Sequence, residues 1–563
     1  MNILDLNRKK ITLISLLLSI FIIGTVLMLI LPVNVKAIYN KTVKTVDGEI
    51  ISFNVFEPRR PGVNKKAIIL GHGIMSNKEM LKGFAIELAA AGFVAVPLDF
   101  RGHGQSTGEL KRDLLINDIN AIISYLNARS DINTSALGYF GFSMGGFPGI
   151  EIVNQSTDFR CFIGAGTRLP NDVRKGNSTH PLNILMILGR YDEVITPEDL
   201  KEGLSNYTGI APEDLDVNRL YGSFQEGNAA IIYLDDNTNH VLGDWDPDFI
   251  REARNFALNC FPDVMPIDEN FYANIRLVIL FLQLVGGFGF FGLIVNPLAK
   301  IILRTREEQK PIIETEYESL LHLGGKTIGY SLALGIPGIL IFVPIILILF
   351  LAVAGFISAL LFGQAFGILV LLWRIGKKKN IKLIQTIKSP FKISRINIVK
   401  QFLLGGILAT LLTVFIYLSG GLHYIGMIPS ITKIPWIPLY FLIFFIIFMI
   451  FGLMFHGILQ NKYGKGIRPL IKVSLIIFGI QFLYMFMILL IIAFVMGSFF
   501  YFGSFLPIAL PLFLLNSFIS TVIYDKTGSI IPVALVNTLF FTLLVCTISP
   551  YQSGISFIFG FFH

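Results

Sequence analysis

The stretch LGYFGFSMGGFPG, residues 137–149, decides how this chain is read. It begins as a buried strand, passes through Gly141-Phe142-Ser143-Met144-Gly145, and opens a helix. The pentapeptide fits G-x-S-x-G, in which a sharp turn from strand to helix presents a serine in a strained conformation. Glycines at Gly141 and Gly145 let the backbone turn without a Cβ clash. The helix that follows aims its N-terminal amides at a developing oxyanion. Such a pentapeptide can arise by chance in a chain with 52 glycines. Its place between a strand pattern and a helix pattern gives it meaning.

Working outward, six short apolar runs suit the central strands of a mostly parallel sheet. They are AIILGHG (67–73), FVAVPLDF (93–100), ALGYFGFS (136–143), CFIGAG (161–166), ILMILGRYD (184–192) and AAIIYLD (229–235). Helical patterns alternate with them, at 78–92, 114–130 and 246–261. This is α/β order.

A serine at its ordinary pKa is a poor nucleophile and needs a base held by a third group. Asp192 ends the fifth run, and His240 follows the sixth by a few residues. Strand ends on one edge of a sheet are where such partners converge. Glu193 is the substitute acid. The plainer readings are a turn or cap residue for Asp192 and a surface-loop histidine for His240. Among the other histidines, His72 and His103 sit in Gly-His-Gly turns and His180 lies in a polar loop.

Taken together, GHGIMSNKE (71–79), DFRGHGQSTGE (99–109), GFSMGG (141–146), GRYDEVITP (189–197) and NTNHVLG (237–243) resemble an α/β-hydrolase over about residues 40–262. The likeness is to small esterases, monoacylglycerol-type lipases and serine aminopeptidases. It implies a mostly parallel doubly wound sheet, a Ser143–His240–Asp192 triad, and an oxyanion hole from the backbone N–H groups of Ile74 and Met144. It implies hydrolysis of an ester, thioester or amide through an acyl-enzyme, with no cofactor and no metal. The expected substrate is a small-molecule or lipid-derived ester or amide, with a peptide as a further option. The segment between Gly166 and Pro181 is short and polar, so no large lid is expected. A loop at about 207–227 is expected to cover part of the mouth.

The rest of the chain is of another kind. Overall 53% of the 563 residues are hydrophobic and 15% charged, with a mean hydropathy of +0.67. Residues 33–270 carry 31 acidic and 22 basic side chains, whereas the remainder carries 7 and 24. The basic excess therefore lies beside apolar runs, where membrane topology alone explains it, and nucleic-acid binding is not implied. Apolar spans are expected at 11–31, 274–296, 328–350, 353–373, 401–420, 435–458, 473–496, 499–522 and 529–548. The 328–373 pair could also be one helix and a re-entrant segment. Residues 11–31 read as an uncleaved anchor. A signal peptide is the competing reading, although the run exceeds the 7–15 apolar residues usual for one.

This gives a cytoplasmic N-terminus (1–10), an anchor (11–32), a hydrolase domain (33–270), about eight further membrane helices (271–550) and a tail (551–563). With the basic clusters at 8–10, 300–310, 377–400, 462–472 and Lys526 on the cytoplasmic side, residues 33–270 fall outside the cell membrane. Asn-x-Ser/Thr sequons at Asn40, Asn133, Asn154, Asn177 and Asn206 all lie in that domain.

No Asp or Glu occurs between Glu318 and Asp525. Proton relays and cation sites in membranes generally use buried carboxylates, so a proton-coupled transporter lacks its usual parts. The runs at 451–464, 474–482 and 528–541 resemble a degraded copy of the CAAX-prenyl and bacteriocin-processing intramembrane metalloproteases. At that family's two glutamates, arginine and later histidines stand Phe451, Gly452, His456, Phe482 and Asn537. The membrane half is therefore expected to be a non-catalytic anchor or scaffold, with His423 and His456 as interface or loop residues. Cys161, Cys260 and Cys546 show no metal spacing, and buried free thiols are expected, with a Cys161–Cys260 pair in the first domain as the competing reading. The competing functional reading is a catalytically silent binding or sensor module on a transporter or membrane scaffold.

Overall fold

The computed structural model describes residues 8–303, 313, 319–462 and 466–556. The first seven residues, most of the basic cluster at 300–310, part of that at 462–472, and the tail from 557, His563 included, lie outside them.

After helix α1 (Arg8–Ile30) come β1 (Val35–Lys44), β2 (Ile50–Pro58), β3 (Lys65–Gly71), α2 (Lys82–Ala90), β4 (Val94–Pro97), α3 (Leu115–Asn127), β5 (Ile132–Phe142), α4 (Gly146–Gln155), β6 (Phe159–Ala165), β7 (Asn183–Gly189), α5 (Pro197–Thr208), β8 (Ala230–Asp235) and α6 (Pro247–Cys260). The eight strands form one sheet in the order β1-β2-β4-β3-β5-β6-β7-β8. The pairs from β4 to β8 are parallel, while β2 runs antiparallel to its neighbours.

Alternation along the strands sends side chains to two layers. On β3, Ala67 and Ile69 join α3, α4 and α5 in one buried cluster, and Ile68 and Leu70 join α2 and α6 in the other. Local signals stop and start the helices. Thr196 and Asp199 form a capping box before α5, with Pro197 in its first turn and Gly209 left-handed after it. Asp246 accepts from the amides of Asp248 and Phe249 to cap α6. The β1–β2 hairpin is the element the apolar runs missed. Its signal is Asp47-Gly48 at the turn, with Gly48 at φ +98°.

The second half holds α7 (Tyr272–Leu303), α8 (Leu320–Ile348), α9 (Ala352–Lys378), the short α10 (Leu383–Lys388), α11 (Arg395–Ile416), α12 (Ile437–Met454), α13 (Ile467–Met496), α14 (Phe500–Thr527) and α15 (Ile530–Ile548). Helix α11 continues as a wide π-type turn to Ile425, and α12 does so to Leu459. Among the described residues, nine helices are long and apolar enough to cross a membrane, and they coincide with the nine expected spans. The 328–373 region is two helices, separated at Leu349–Leu351, where Leu351 takes φ +66°. Helix α1 packs on α7 through small residues. A Cβ on Gly286 would lie 2.8 Å from the Leu17 carbonyl, and Gln283 Nε2 donates to Thr25 Oγ1 at 3.1 Å.

The sheet domain rests on one end of the helix bundle. Backbone bonds join Leu110 N to Tyr551 O (3.0 Å), Tyr551 N to Gly102 O (2.7 Å) and Ser430 N to Gly104 O (2.9 Å). The bundle segments that meet the domain, at 417–433, 503 and 551, alternate along the chain with the basic turns at 377–400, 466–472 and 526. Those basic turns therefore lie at the opposite ends of the helices.

Candidate active site

Strand β5 ends at Phe142, and Ser143 follows with φ +48°, a left-handed conformation that costs a non-glycine residue energy. The small residues around it are required by space. A Cβ on Gly141 would sit 2.7 Å from the Gly145 carbonyl oxygen and the Gly146 Cα. One on Gly145 would run into the Gly71 carbonyl, where β3 ends. The turn Ser143–Gly145 leads directly into α4.

Three side chains from three strand ends meet at this turn. Ser143 Oγ lies 2.9 Å from His240 Nε2, and His240 Nδ1 lies 2.9 Å from Asp192 Oδ2. The other Asp192 oxygen accepts from the amides of Val194 (2.8 Å) and Ile195 (2.9 Å), which fixes the carboxylate in its turn. Burial disfavours the His240 cation, but the hydrogen bond and charge of Asp192, with Glu193 and Asp244 further off, outweigh it and raise the imidazole pKa. Gly166, at φ +55°, closes over the ring, and a Cβ there would lie 3.1 Å from His240 Cε1. Glu193, the substitute acid, accepts from the His240 backbone amide at 3.4 Å.

Met144 follows the serine and is buried. The Gly73–Ile74 backbone lies alongside, since a Cβ on Gly73 would be 3.4 Å from Ser143 Cβ. The Ile74 carbonyl is held by His103 Nε2 at 2.8 Å. His72 accepts from the Phe100 amide at 3.0 Å, and burial pushes its pKa down to about 4. Both of these histidines are buried neutral supports of the loops, and His180 is exposed on a loop beyond β6.

The sequence reading missed Asp244. It is fully buried, its Oδ2 accepts from Ser76 Oγ at 3.0 Å, and burial drives its pKa up to about 7. No spacing rule picks it out from the many carboxylates near the C-terminus of the domain. Exposed apolar side chains stand next to the three meeting residues: Phe147 (61% exposed) after Ser143, Tyr191 (64%) and Val194 (38%) beside Asp192, and Leu242 (40%) after His240.

One expectation is corrected. The loop at 207–227 runs along the outer edge of β8 instead of over the mouth, with Asn218 N bonded to Ile232 O (2.7 Å) and Tyr221 N to Ala230 O (2.9 Å). An unpaired edge strand invites association, and this loop covers it. What borders the site instead is the start of α14, where Asn239 Nδ2 donates to Gly503 O at 3.3 Å.

In the membrane half, His456 bonds Gln460 through Nδ1 at 2.6 Å and stacks on Tyr524, and Asn537 pairs with Ser520 at 3.0 Å. Phe451 packs on Phe448 and Phe455, and Phe482 on Phe478. His423 contacts Arg276 at 3.4 Å. Among the described residues, one group of three potential metal ligands gathers, Asp235, Asp246 and Asp248, in the sheet domain. Asp235 and Asp246 already accept the amides of their own turns. The three cysteines are buried and free.

Residues 62–190 match the family model described as serine aminopeptidase, S33. The "Uncharacterized 31.7 kDa protein in traX-finO intergenic region" of Escherichia coli is 28% identical over 124 residues, 21% of this chain and 42% of that one. An uncharacterised protein of Mycobacterium tuberculosis is 26% identical over 113 residues, 20% and 40% of the two chains. The α/β-hydrolase domain-containing protein WAV2 of Arabidopsis thaliana is 36% identical over 61 residues, 11% and 20%. The chain thus spans about two fifths or less of the curated relatives it matches. Esterase Pf2001 of Pyrococcus furiosus, 16% identical, aligns over 40% of this chain and 92% of its own with a TM-score of 0.31. Est1E of Butyrivibrio proteoclasticus, solved with ferulic acid, is 14% identical over 39% and 99%, again at 0.31. The N-terminal domain has the α/β-hydrolase fold, and among the described residues nine helices, α1 included, are candidate membrane spans.

Proposed function

We propose that this protein is a membrane-anchored serine hydrolase that cleaves an ester, thioester or amide. The observation that carries the reading is the unbroken relay from Ser143 through His240 to Asp192, with the serine held at positive φ. Ser143 Oγ attacks the substrate carbonyl carbon while its proton passes to His240 Nε2. Asp192 holds the ring by Nδ1 and stabilises the imidazolium. The amides of Ile74 and Met144 receive the oxyanion. The tetrahedral intermediate collapses, the leaving group takes the proton from His240, and an acyl-Ser143 ester remains. Water, deprotonated by His240, then releases the acid and restores the serine. The apolar side chains beside the mouth favour an apolar acyl group.

The domain at 33–270 works on the extracytoplasmic side. Support comes from the basic turns, which stand at the helix ends away from it. A membrane-impermeant thiol reagent should reach a cysteine placed at Asn177 in intact cells and miss one at Lys378. The reverse pattern would overturn the orientation. For the chemistry, purified full-length protein should hydrolyse members of a short-ester panel, and Ser143→Ala should reduce turnover to the uncatalysed level while the protein stays folded. Wild-type turnover in that variant would sink the assignment.

A further inference from the structure

Helix α11 ends against the catalytic loops, and its last carbonyls are capped by two side chains of those loops and by Lys82 at the start of α2. The final turn of a helix leaves carbonyls without intrahelical donors, and at the edge of a bilayer an unpaired carbonyl is costly. Here Leu422 O accepts from Lys82 Nζ at 2.9 Å, Tyr424 O from Trp245 Nε1 at 2.9 Å and Ile425 O from Asn77 Nδ2 at 2.6 Å. Gly426 then leaves the helix at φ +74°, and a Cβ there would lie 2.7 Å from the Asn77 amide.

Asn77 stands three residues after Ile74, and Trp245 five after His240. The loops that carry them are tied to each other by the Ser76–Asp244 bond, between the two grips on α11. A second bundle segment holds the turn behind Ile74. Ser430 N donates to Gly104 O, and the neighbouring His103 holds the Ile74 carbonyl. The oxyanion loop and the histidine loop therefore share one external brace, made by a membrane helix.

Resting on the serine-hydrolase reading, we propose that the outer end of α11 is a positioning element of the catalytic centre, setting the Ile74 loop against His240 through Asn77 and Trp245. The membrane half is then a working part of the active site, and a shift of α11 along its axis would change turnover. Neither Asn77 nor Trp245 reaches the reacting atoms, so their effect falls on rate rather than on substrate binding. A misplacement of about 1 Å in such a site costs on the order of 100-fold.

The test uses full-length protein with a water-soluble short-chain ester, comparing wild type, Trp245→Phe, Asn77→Ala and the double variant. Trp245→Phe removes the N–H donor and keeps an aromatic ring, though a smaller one than the indole. The double variant should lose about 10-fold or more in kcat with KM within about 2-fold, a fraction of the cost of full misplacement. Fluorophosphonate labelling should slow in the same proportion yet still reach one adduct per chain, the mark of an intact but poorly positioned nucleophile. Trp245→Phe alone should show the same split at smaller size, and it is read by itself should Asn77→Ala fail to accumulate. Wild-type kcat and labelling rate in Trp245→Phe and the double variant would overturn the proposal while leaving the serine-hydrolase reading standing. Absence of Ser143-dependent turnover in the wild type would overturn both.

Discussion

The two halves of this molecule bury polar groups in opposite ways. In the hydrolase domain, buried charges are paired: Lys78 with Asp99 at 2.6 Å, Arg101 with Asp118 at 2.7 Å, Arg254 with Glu87 at 3.1 Å. In the membrane half, no carboxylate stands between Glu318 and Asp525; the buried cations Arg276 and Lys433 donate to backbone carbonyls, and other buried contacts join amides and hydroxyls, such as Gln283–Thr25 and Asn537–Ser520. Hydrocarbon penalises a charge far more than an amide, whereas a soluble domain can desolvate a charge if it pairs it. Acid–base chemistry needs groups that change charge, which is why the proposed machinery for it lies in the first half. The second half contributes shape and backbone carbonyls.

The sharpest way to break this contrast is to remove the base. His240→Ala should reduce kcat by about 10⁴-fold or more on any substrate, because nucleophile and base act as one unit. Retention of even a tenth of wild-type kcat would mean that the chemistry lies elsewhere.

Asp192→Asn should cost less, about 10³- to 10⁴-fold, and it should also move the pH profile. His240 works as a base only when neutral, and Asp192 is a main reason that its pKa is raised. Activity therefore rises with pH through that raised pKa. Without the carboxylate charge, the acidic limb of kcat/KM should shift to lower pH. A limb that stays in place would separate Asp192 from His240.

A smaller effect concerns Asp244. Its carboxyl titrates at about 7 in the folded domain and nearer 4 when exposed. Its contribution to stability is thus full below the unfolded pKa and falls away as pH rises through 7. Asp244→Asn should raise Tm relative to wild type at pH 8 by on the order of a few °C, with the gap closing towards pH 4. An equal difference at both pH values would refute the buried neutral acid. Smallest of all, His456→Phe in the membrane half should leave kcat on a soluble ester within about 2-fold, since its ring bonds Gln460, four residues on, and stacks on Tyr524 of α14. A loss like that of His240→Ala would make the second half catalytic.

Much of the hydrolase domain was legible because its signals are local. The elbow needs small residues within five positions, and each apolar run became a strand at nearly its expected place. The meeting of Ser143, His240 and Asp192 followed from their positions at strand ends. The nine candidate spans among the described residues were legible from the length and apolarity of their runs. Part of what stayed hidden involves contacts across hundreds of residues. The brace on the catalytic loops is made by the carbonyls of Leu422, Tyr424 and Ile425, and a carbonyl has no sequence signature. The loop at 207–227 had the length and polarity of a cover, but its backbone was needed along the open edge of β8.

The central claim is that one serine in the first half does the chemistry. It is tested most directly by treating the purified full-length protein with a fluorophosphonate probe, digesting it and locating the adduct by mass spectrometry. The account predicts one adduct per chain, on the peptide containing Ser143, with labelling strongly slowed in His240→Ala. An adduct on any other residue, or unchanged labelling when Ser143 is replaced by alanine, would contradict it.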